Sequence, residues 1–344
     1  MRILFVTPHR FSSGEATTAL HSAAQAARRG AEVRFFSAPR SAQVLARQFP
    51  DQVTEMTTDG PTNRGLLAAL VVELRPEAIV FCDYALLPSS AGGLPLADDA
   101  WIEWLDDLDA ELFTFDHMGL EQPGSVRRQA MSLRRPARMH VLLPCPMHEP
   151  SPLPGRCGVP FRCWTPRHLD ERERDAARAP FVPPSSGYLV VHAVSSWAWE
   201  TARARRSPYY DLLPSVLESY FADCPRPVTI VSINNGSLLR DAPGGKIRIV
   251  NLSSLAVDEH ERLLASADLV LTENCFSSTL AKAACFGVPG VAWQNVFDGP
   301  TLRDWVADDA PAALLEVLRR APASIEPWLV FPLISMDWRQ HLRV

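Results

Sequence analysis

The chain has 344 residues, of which 47% are hydrophobic and 21% are charged, and its formal net charge is −5. This length favours two domains, and the composition is that of an ordinary soluble globular protein. The negative charge balance argues against a nucleic-acid-binding protein and against a polybasic membrane-surface protein. No segment approaches the roughly 20 consecutive apolar residues of a membrane span, so no membrane partner is predicted.

Cysteine usage and the N-terminus indicate a cytoplasmic protein. The seven cysteines include no CxxC spacing, which is typical of reduced thiols. The opening MRILFVTPHR reads as a strand rather than a signal peptide, because its apolar run is short and charged residues flank it. We predict no metal site, because no standard zinc spacing relates the possible ligands Cys145, His148, Cys157, Cys163 and His168.

The N-terminal half alternates strands and helices, which predicts a doubly wound α/β domain. Its first strand, Arg2–Thr7, is continuously apolar, as in a sheet buried on both faces. Ser12 and Glu15 have capping-box spacing at the start of the next helix. The dinucleotide fingerprint GxGxxG is absent. The further predicted elements are strand Glu32–Ser37, helices Ser41–Gln48 and Asn63–Leu74, strand Ala78–Cys82, helix Ala100–Asp109, and strands Glu111–Phe115 and His140–Pro144.

Ionisable residues follow three of these strands. His9 comes just after the first strand, and Asp83 and the pair Asp116-His117 each follow a later one. The carboxyl ends of parallel strands lie at one sheet edge, where ligands bind in open α/β sheets. The pattern therefore predicts that these four residues face one crevice and are candidates for acid–base catalysis. The alternative roles are structural, as an exposed loop histidine, a helix cap and a turn.

The second half repeats the α/β alternation. We place the domain boundary near the end of the Pro-, Arg- and Cys-rich residues 145–187, which gives domains 1–184 and 185–328 and a tail, 329–344, that crosses back to the first domain. The charged run Asp170–Arg178 predicts a solvated surface helix. The other predicted elements are strands Gly187–Ala193, Pro227–Ile233 and Lys246–Val250, a helix opened by Ser207-Pro208, and helix Asp258–Ala267.

The stretch from Ala267 to Gln294 reads as strand, polar turn, helix, stop and strand. A strand that delivers hydroxyl and N–H groups to a helix N-terminus makes an anion site, usually for phosphate. The predicted parts are strand Ala267–Leu271, an N-cap at Ser277 or Ser278, helix Thr279–Phe286, the stop residues Gly287 and Pro289, and strand Gly290–Trp293.

This stretch resembles the donor-binding segment of GT-B glycosyltransferases, in the UDP-sugar branch that includes the bacterial GlcNAc transferases of peptidoglycan synthesis. The matching residues are Ala267–Leu271, Thr279 and Gly287-Val288-Pro289. The resemblance implies two doubly wound Rossmann-like α/β domains facing a central cleft. It also implies donor contacts: Ser277, Ser278 and Thr279 at the diphosphate, Ser195 and Ser196 along the donor cleft, and Gln294 and Asp298 near the sugar.

The segment departs from the family pattern at two places. Residues Glu273–Phe276 replace the usual glycine-rich turn, and Lys282 stands where family members commonly carry an acid that binds the ribose. A lysine cannot accept hydrogen bonds from hydroxyls, but it can bind phosphate. Lys282 is therefore either a phosphate ligand or a solvated helix residue, and Glu273 is an alternative ribose ligand. The remaining donor-binding candidates are the polar strand-end residues Asn235, Asn251 and Asn274.

The resemblance implies an inverting, metal-independent transferase that moves a sugar from a nucleotide-sugar donor to a small-molecule acceptor. His9 is our first choice for the base that takes the acceptor proton, and Asp116 or Asp83 either orients it or acts in its place. We predict no cofactor, because the nucleotide sugar, with UDP favoured, is a co-substrate. The arginine-rich, lysine-poor composition fits a specialised-metabolite or antibiotic pathway. The sequence leaves a homodimer open.

Two other functions share this architecture. A hydrolysing nucleotide-sugar epimerase would turn over its nucleotide sugar with no acceptor present. A non-catalytic GT-B-like subunit would have lost donor binding, a reading that rests on Lys282 and on the turn without glycine.

Overall fold

The computed structural model describes the chain in two compact units, Met1–Thr165 and Pro166–Val344. The described residues are 1–9, 14–84, 87, 99–117, 135–145, 158–183, 187–194, 199, 203, 209–233, 239–242, 244–245, 247–253, 255–272 and 277–292. The predicted tail, 329–344, and the Ser12 cap lie outside them.

The first unit is built on a seven-stranded parallel sheet with the order β3-β2-β1-β4-β5-β6-β7. The strands are β1 Arg2–Thr7, β2 Glu32–Ser37, β3 Val53–Glu55, β4 Ala78–Cys82, β5 Glu111–Phe115, β6 His140–Cys145 and β7 Val159–Arg162. The described helices are α1 Gly14–Arg28, α2 Pro39–Ala46, α3 Gly60–Leu74 and α4 Asp99–Asp106.

Alternate residues of the central strands enter opposite faces of this sheet. Leu4 and Val6 of β1 pack in one core with Leu67 of α3 and Trp101 of α4. Phe5, between them in sequence, faces the other way and stacks on Phe35 of β2 with 5.6 Å between ring centroids. The central strands β1 and β4 are therefore buried along nearly their whole length, because both faces of the sheet are covered.

The second unit holds a five-stranded parallel sheet. Its strands are β8 Tyr188–Ala193, β9 Val228–Ile233, β10 Ile247–Leu252, β11 Leu269–Thr272 and β12 Gly290–Ala292. They lie in the order β10-β9-β8-β11-β12. Val190 of β8 packs in a core with Leu213, and its neighbours Leu189 and Val191 pack on the opposite face with Leu264. The helices are α5 Glu171–Arg178, α6 Tyr209–Tyr220, α7 Val257–Ser266 and α8 Ser278–Cys285.

Both strand orders contain a topological switch point, where the chain reverses its direction of travel across the sheet. This switch point lies between β1 and β4 in the sheet of the first unit, and between β8 and β11 in the sheet of the second unit. Ligands of open α/β sheets bind beyond the carboxyl ends of the strands at such points. The predicted fold class, two doubly wound α/β domains, is confirmed by these two sheets.

The unit boundary falls between Thr165 and Pro166, about twenty residues before the predicted 184/185. The reason is α5, which the sequence assigned to the first domain as a solvated helix. Its residues Arg174 and Arg178 form ion pairs with Asp268, just before β11, so α5 is part of the second unit.

Two short strands, β3 and β7, were missed by the sequence prediction. β3 has only three residues, too few to show alternation, and β7 is an exposed edge strand. A third difference concerns β10, which continues through Asn251 to Leu252 instead of ending at Val250. The prediction that Gly287 stops α8 agrees with its backbone, because Gly287 has a φ of 69°, a conformation that favours glycine.

Candidate functional site

The four predicted catalytic residues lie at the carboxyl edge of neighbouring strands. His9 follows β1, Asp83 follows β4, and Asp116 and His117 follow β5. These three strands are adjacent in the sheet, so the residues gather beside the β1–β4 switch point. His9 is half-buried, whereas Asp83, Asp116 and His117 are buried.

Asp83 and His117 form a buried ion pair. The Nδ1 atom of His117 lies 2.9 Å from Oδ1 of Asp83, and the side chains are 7% and 5% exposed. The backbone N–H of His117 donates to the same oxygen at 3.1 Å. This carboxylate therefore fixes both the ring and the main chain of the residue that follows β5.

A hydroxyl from α1 completes the environment of the histidine. Oγ1 of Thr18 lies 2.9 Å from Nε2 of His117 and 3.2 Å from the carbonyl oxygen of Gly14, to which it donates. A hydroxyl whose proton points to Gly14 accepts from Nε2–H, while Asp83 accepts from Nδ1–H. Both ring nitrogens thus face acceptors, which is the arrangement that suits a protonated imidazolium.

The electrostatics agree with this geometry. Burial by itself lowers the pKa of His117, but the charge and hydrogen bond of Asp83, with the charges of Glu15 and Asp116, raise that pKa above its ordinary value. Oε2 of Glu15 and Oδ2 of Asp83 are buried and have no hydrogen-bond partner among the described residues. The site therefore concentrates negative charge around one histidine.

Asp83 also has unusual backbone geometry. Its φ is 63°, a left-handed conformation that few residues other than glycine, asparagine and aspartate adopt. Backbone outliers of this kind concentrate at functional sites, where surrounding contacts hold them in place. Here the contacts to His117 hold the conformation, which turns the chain sharply at the end of β4.

In the second unit, α8 begins next to the end of β11 at the β8–β11 switch point. Ser277 is its N-cap, with Oγ accepting from the N–H of Thr279 at 3.2 Å. Ser277, Ser278 and Thr279 are half-buried. The hydroxyls and the first N–H groups of a helix at this edge are the elements of an anion site.

Lys282, predicted as a phosphate ligand or a solvated residue, is buried. The solvated alternative is wrong, because the residue is 1% exposed. Its Nζ lies 2.9 Å from Oε1 of Glu261 in α7. Burial lowers the pKa of Lys282, and the Glu261 carboxylate opposes that shift. The ammonium is thus engaged inside the second unit.

Asn251, a predicted donor ligand, lies inside β10 and not in a turn after it. Its Oδ1 accepts from the backbone N–H of Leu239 at 3.0 Å, and its Nδ2 donates to the carbonyl oxygen of the same residue at 2.9 Å. Both ends of the amide are therefore used to hold the chain at Leu239.

Asp268, the acid of the ADLVL segment, has a structural role that the sequence did not reveal. It is 3% exposed and accepts hydrogen bonds from Arg174, from Arg178 and from the backbone N–H of Leu189. The available signal was the arginine spacing in the run Glu171–Arg178, which places both arginines on one helix face. Asp268 holds α5 at the amino edge of the sheet, opposite the edge at which α8 begins.

Seven predicted donor ligands lie outside the described residues: Ser195, Ser196, Asn235, Glu273, Asn274, Gln294 and Asp298. Within the described ranges, no three His, Cys, Asp or Glu side chains are grouped so that they could hold a metal ion. None of the described helices is long and apolar enough to cross a membrane.

Comparison with known proteins gives a family. The model of a family of unknown function, DUF6365, matches residues 22–343. The chain belongs to this family. No curated protein matches it.

Solved structures show which fold this family member has. One similar structure is that of spinosyn rhamnosyltransferase SpnG complexed with spinosyn aglycone, with a TM-score of 0.51 and 18% identity over 85% of this chain and 80% of that one. Another is spinosyn forosaminyltransferase SpnP, with a TM-score of 0.50 and 13% identity over 84% and 79% of the two chains. These similarities confirm the GT-B fold that the segment Ala267–Gln294 predicted.

Proposed function

We propose that this protein is a glycosyltransferase that moves a sugar from a nucleotide-sugar donor to a small-molecule acceptor, with inversion and without a metal ion. The observation that carries the proposal is the N-terminus of α8, capped by Ser277 at the switch point of the second sheet. A nucleoside diphosphate is the ligand that such a helix terminus suits in a GT-B fold.

The donor diphosphate binds, in this proposal, to Ser277, Ser278 and Thr279. Their hydroxyls and the first N–H groups of α8 stabilise the negative charge that develops on the leaving diphosphate. The helix dipole thus stabilises the leaving-group charge that a bound metal ion stabilises in other transferases. The candidates that lie outside the described residues, Ser195 and Gln294 among them, keep their predicted donor roles as part of this proposal.

His9 takes the proton of the acceptor. It follows β1 at the switch point of the first sheet and is half-buried, whereas His117 is buried with acceptors at both ring nitrogens. An imidazolium with both nitrogens occupied cannot take a proton, so His9 is the better base. The Asp83–His117 pair stabilises the neighbouring strand ends.

The acceptor is, in this proposal, a specialised metabolite. Support comes from the two similar structures, which are named as transferases of spinosyn, one of them with the spinosyn aglycone bound. At 13–18% identity these likenesses carry the fold, and the acceptor class belongs to the proposal.

The first experiment is calorimetry with UDP, dTDP, GDP and ADP on the full chain. Binding of one of them is expected, and binding of none would overturn the donor assignment. Turnover of the matching nucleotide sugar should require an acceptor, whereas acceptor-independent turnover would indicate an epimerase.

The base is tested by His9→Ala, which should abolish transfer and leave nucleotide affinity nearly unchanged. The matched control is His140→Ala, because His140 lies at the opposite, amino edge of the same sheet, where it pairs with Glu111 at 3.3 Å. Transfer that survives His9→Ala would remove His9 from the mechanism.

A further inference from the structure

Helix α8 is short and carries few large apolar side chains. It spans eight residues, STLAKAAC, and its buried residues are Ala281, Lys282 and Ala283. A helix of about two turns is not stable in isolation, so tertiary contacts must set its position. Lys282 is the largest of the three buried side chains, which makes it the principal internal anchor of α8.

Lys282 contacts helix α7. Nζ of Lys282 lies 2.9 Å from Oε1 of Glu261, and the two side chains are 2% and 15% exposed. The adjacent His260 does not compete for Glu261 as a cation, because burial and the Lys282 charge lower the pKa of His260 to about 3. The ion pair therefore joins α8 to α7 through a buried contact between opposite charges.

The other side of α8 contacts β12. A Cβ at Gly290 would lie 2.8 Å from Cδ2 of Leu280, so the Leu280 side chain fills the space beside the glycine. This apolar contact holds one side of α8 against the strand. The Lys282–Glu261 contact holds another side of the helix, and the two contacts together fix its rotation about the helix axis.

Rotation matters because of the helical repeat. Ser278 and Lys282 are four residues apart, so they lie on the same face of α8, one turn from each other. Any rotation that separates Lys282 from Glu261 also turns the hydroxyl and N–H of Ser278. The direction of the first turn of α8 is thus tied to the ion pair.

We propose that Lys282 and Glu261 are positioning residues that orient the N-terminal turn of α8 toward the donor diphosphate. The inference rests on the proposed function, which assigns the diphosphate to that turn. Lys282 acts through the helix and not by contact with the nucleotide, because its ammonium is held inside the unit. In this proposal, residue 282, where the resemblance implies a ribose-binding acid, orients α8 instead of binding the ribose.

The test compares nucleotide affinity with stability in a set of variants. Each variant is titrated calorimetrically with whichever of UDP, dTDP, GDP and ADP the wild type binds, and its thermal unfolding is measured in parallel. The set comprises Lys282→Met, Glu261→Gln, Lys282→Arg and the double variant Lys282→Met/Glu261→Leu. The control is Arg262→Gln, which removes one positive charge from the exposed face of α7, where Arg262 pairs with Asp258.

The double variant is decisive because it removes both members of the ion pair, and apolar replacement of a buried pair commonly preserves the fold. We expect it to unfold near the wild-type temperature but to bind the nucleotide about tenfold or more weakly, since small misplacements of binding groups have effects of this size. Lys282→Arg should restore part of the affinity lost in Lys282→Met. Arg262→Gln should bind like the wild type.

Unchanged nucleotide affinity in the folded double variant would overturn the positioning role and leave the proposed function intact. If the wild type binds none of UDP, dTDP, GDP and ADP, the proposed function is overturned, and the inference with it. If Lys282→Met does not fold, the double variant and Lys282→Arg still decide the question.

Discussion

Nδ1 of His117 lies 2.9 Å from Oδ1 of Asp83, and this one carboxylate oxygen also accepts the backbone N–H of His117. Asp83 follows β4 and His117 follows β5, and these two strands pair directly, with Cys82 opposite Phe115. The contact therefore locks the ends of two neighbouring strands at the edge where ligands of such sheets bind.

The stability of the protein should decrease as pH rises above the ordinary pKa of histidine. Burial lowers the pKa of His117, but Asp83, Glu15 and Asp116 raise it by more, so the folded-state pKa lies above 6.5. The stabilisation by the charged ring is then fully present below pH 6.5 and is lost as pH rises through the folded-state pKa. Denaturant unfolding at a series of pH values measures this change.

The control for that measurement is His117→Gln, which cannot ionise at this position. The difference in unfolding free energy between wild type and variant should be largest below pH 6.5 and should shrink at higher pH. A difference that stays constant across this range would show that folding does not raise the pKa of His117.

Asp83→Asn and Asp83→Ala should differ in stability. Asparagine tolerates the φ of 63° and keeps an oxygen toward His117, so we expect a loss of about 1–3 kcal/mol from the weakened hydrogen bonds. Alanine lacks any acceptor and also strains the left-handed backbone, which adds about 1–2 kcal/mol. Urea unfolding compares the two, and equal stabilities would show that neither the acceptor oxygen nor the left-handed backbone at residue 83 affects stability.

The position of the site was predictable from the sequence, but its internal pairing was not. Apolar runs that end in Asp83 and in Asp116-His117 suffice to put these residues at one edge, because parallel strands end together. Thr18 gave no such signal, since it contacts His117 from a helix 99 residues earlier in the chain. A contact of that sequence separation depends on how α1 packs on the sheet.

Lys282 shows why the donor segment was harder to interpret. The pattern STLAKAAC places one charged residue among small ones, which is typical of a solvated position. The lysine is buried because Glu261, on the preceding helix, meets it inside the unit. Neither residue reveals its partner through local sequence, since the pair forms only when α7 and α8 pack together.

Asp268→Ala should be strongly destabilising. The Asp268 side chain is 4% exposed and binds Arg174 and Arg178. Its removal leaves Arg174 and the N–H of Leu189 without this acceptor, while Arg178 keeps the carbonyl oxygens of Ser266 and Gly187. Loss of one partner from a buried ion pair costs about 3–5 kcal/mol. Urea unfolding measures the loss, and hydrogen exchange should show α5 opening first.

The matched control is Asp258→Ala, since Asp258 also pairs with two arginines, Arg167 and Arg262, but is 63% exposed. Solvent screens such pairs, so a loss of about 0–1 kcal/mol is expected. Similar losses at positions 258 and 268 would show that burial does not govern the strength of the Asp268 contacts.

Ser277 permits stability and nucleotide binding to be separated. Ser277→Ala removes the oxygen that accepts from the N–H of Thr279, which should cost about 1 kcal/mol of stability and weaken binding. Ser277→Asp restores a capping oxygen and adds a negative charge that suits the helix dipole, so stability should return. The same carboxylate repels a diphosphate, so nucleotide affinity should fall further than in Ser277→Ala. Urea unfolding and calorimetry, with the nucleoside diphosphate that the wild type binds, report the two quantities; wild-type affinity in Ser277→Asp would exclude the N-terminus of α8 as the phosphate site.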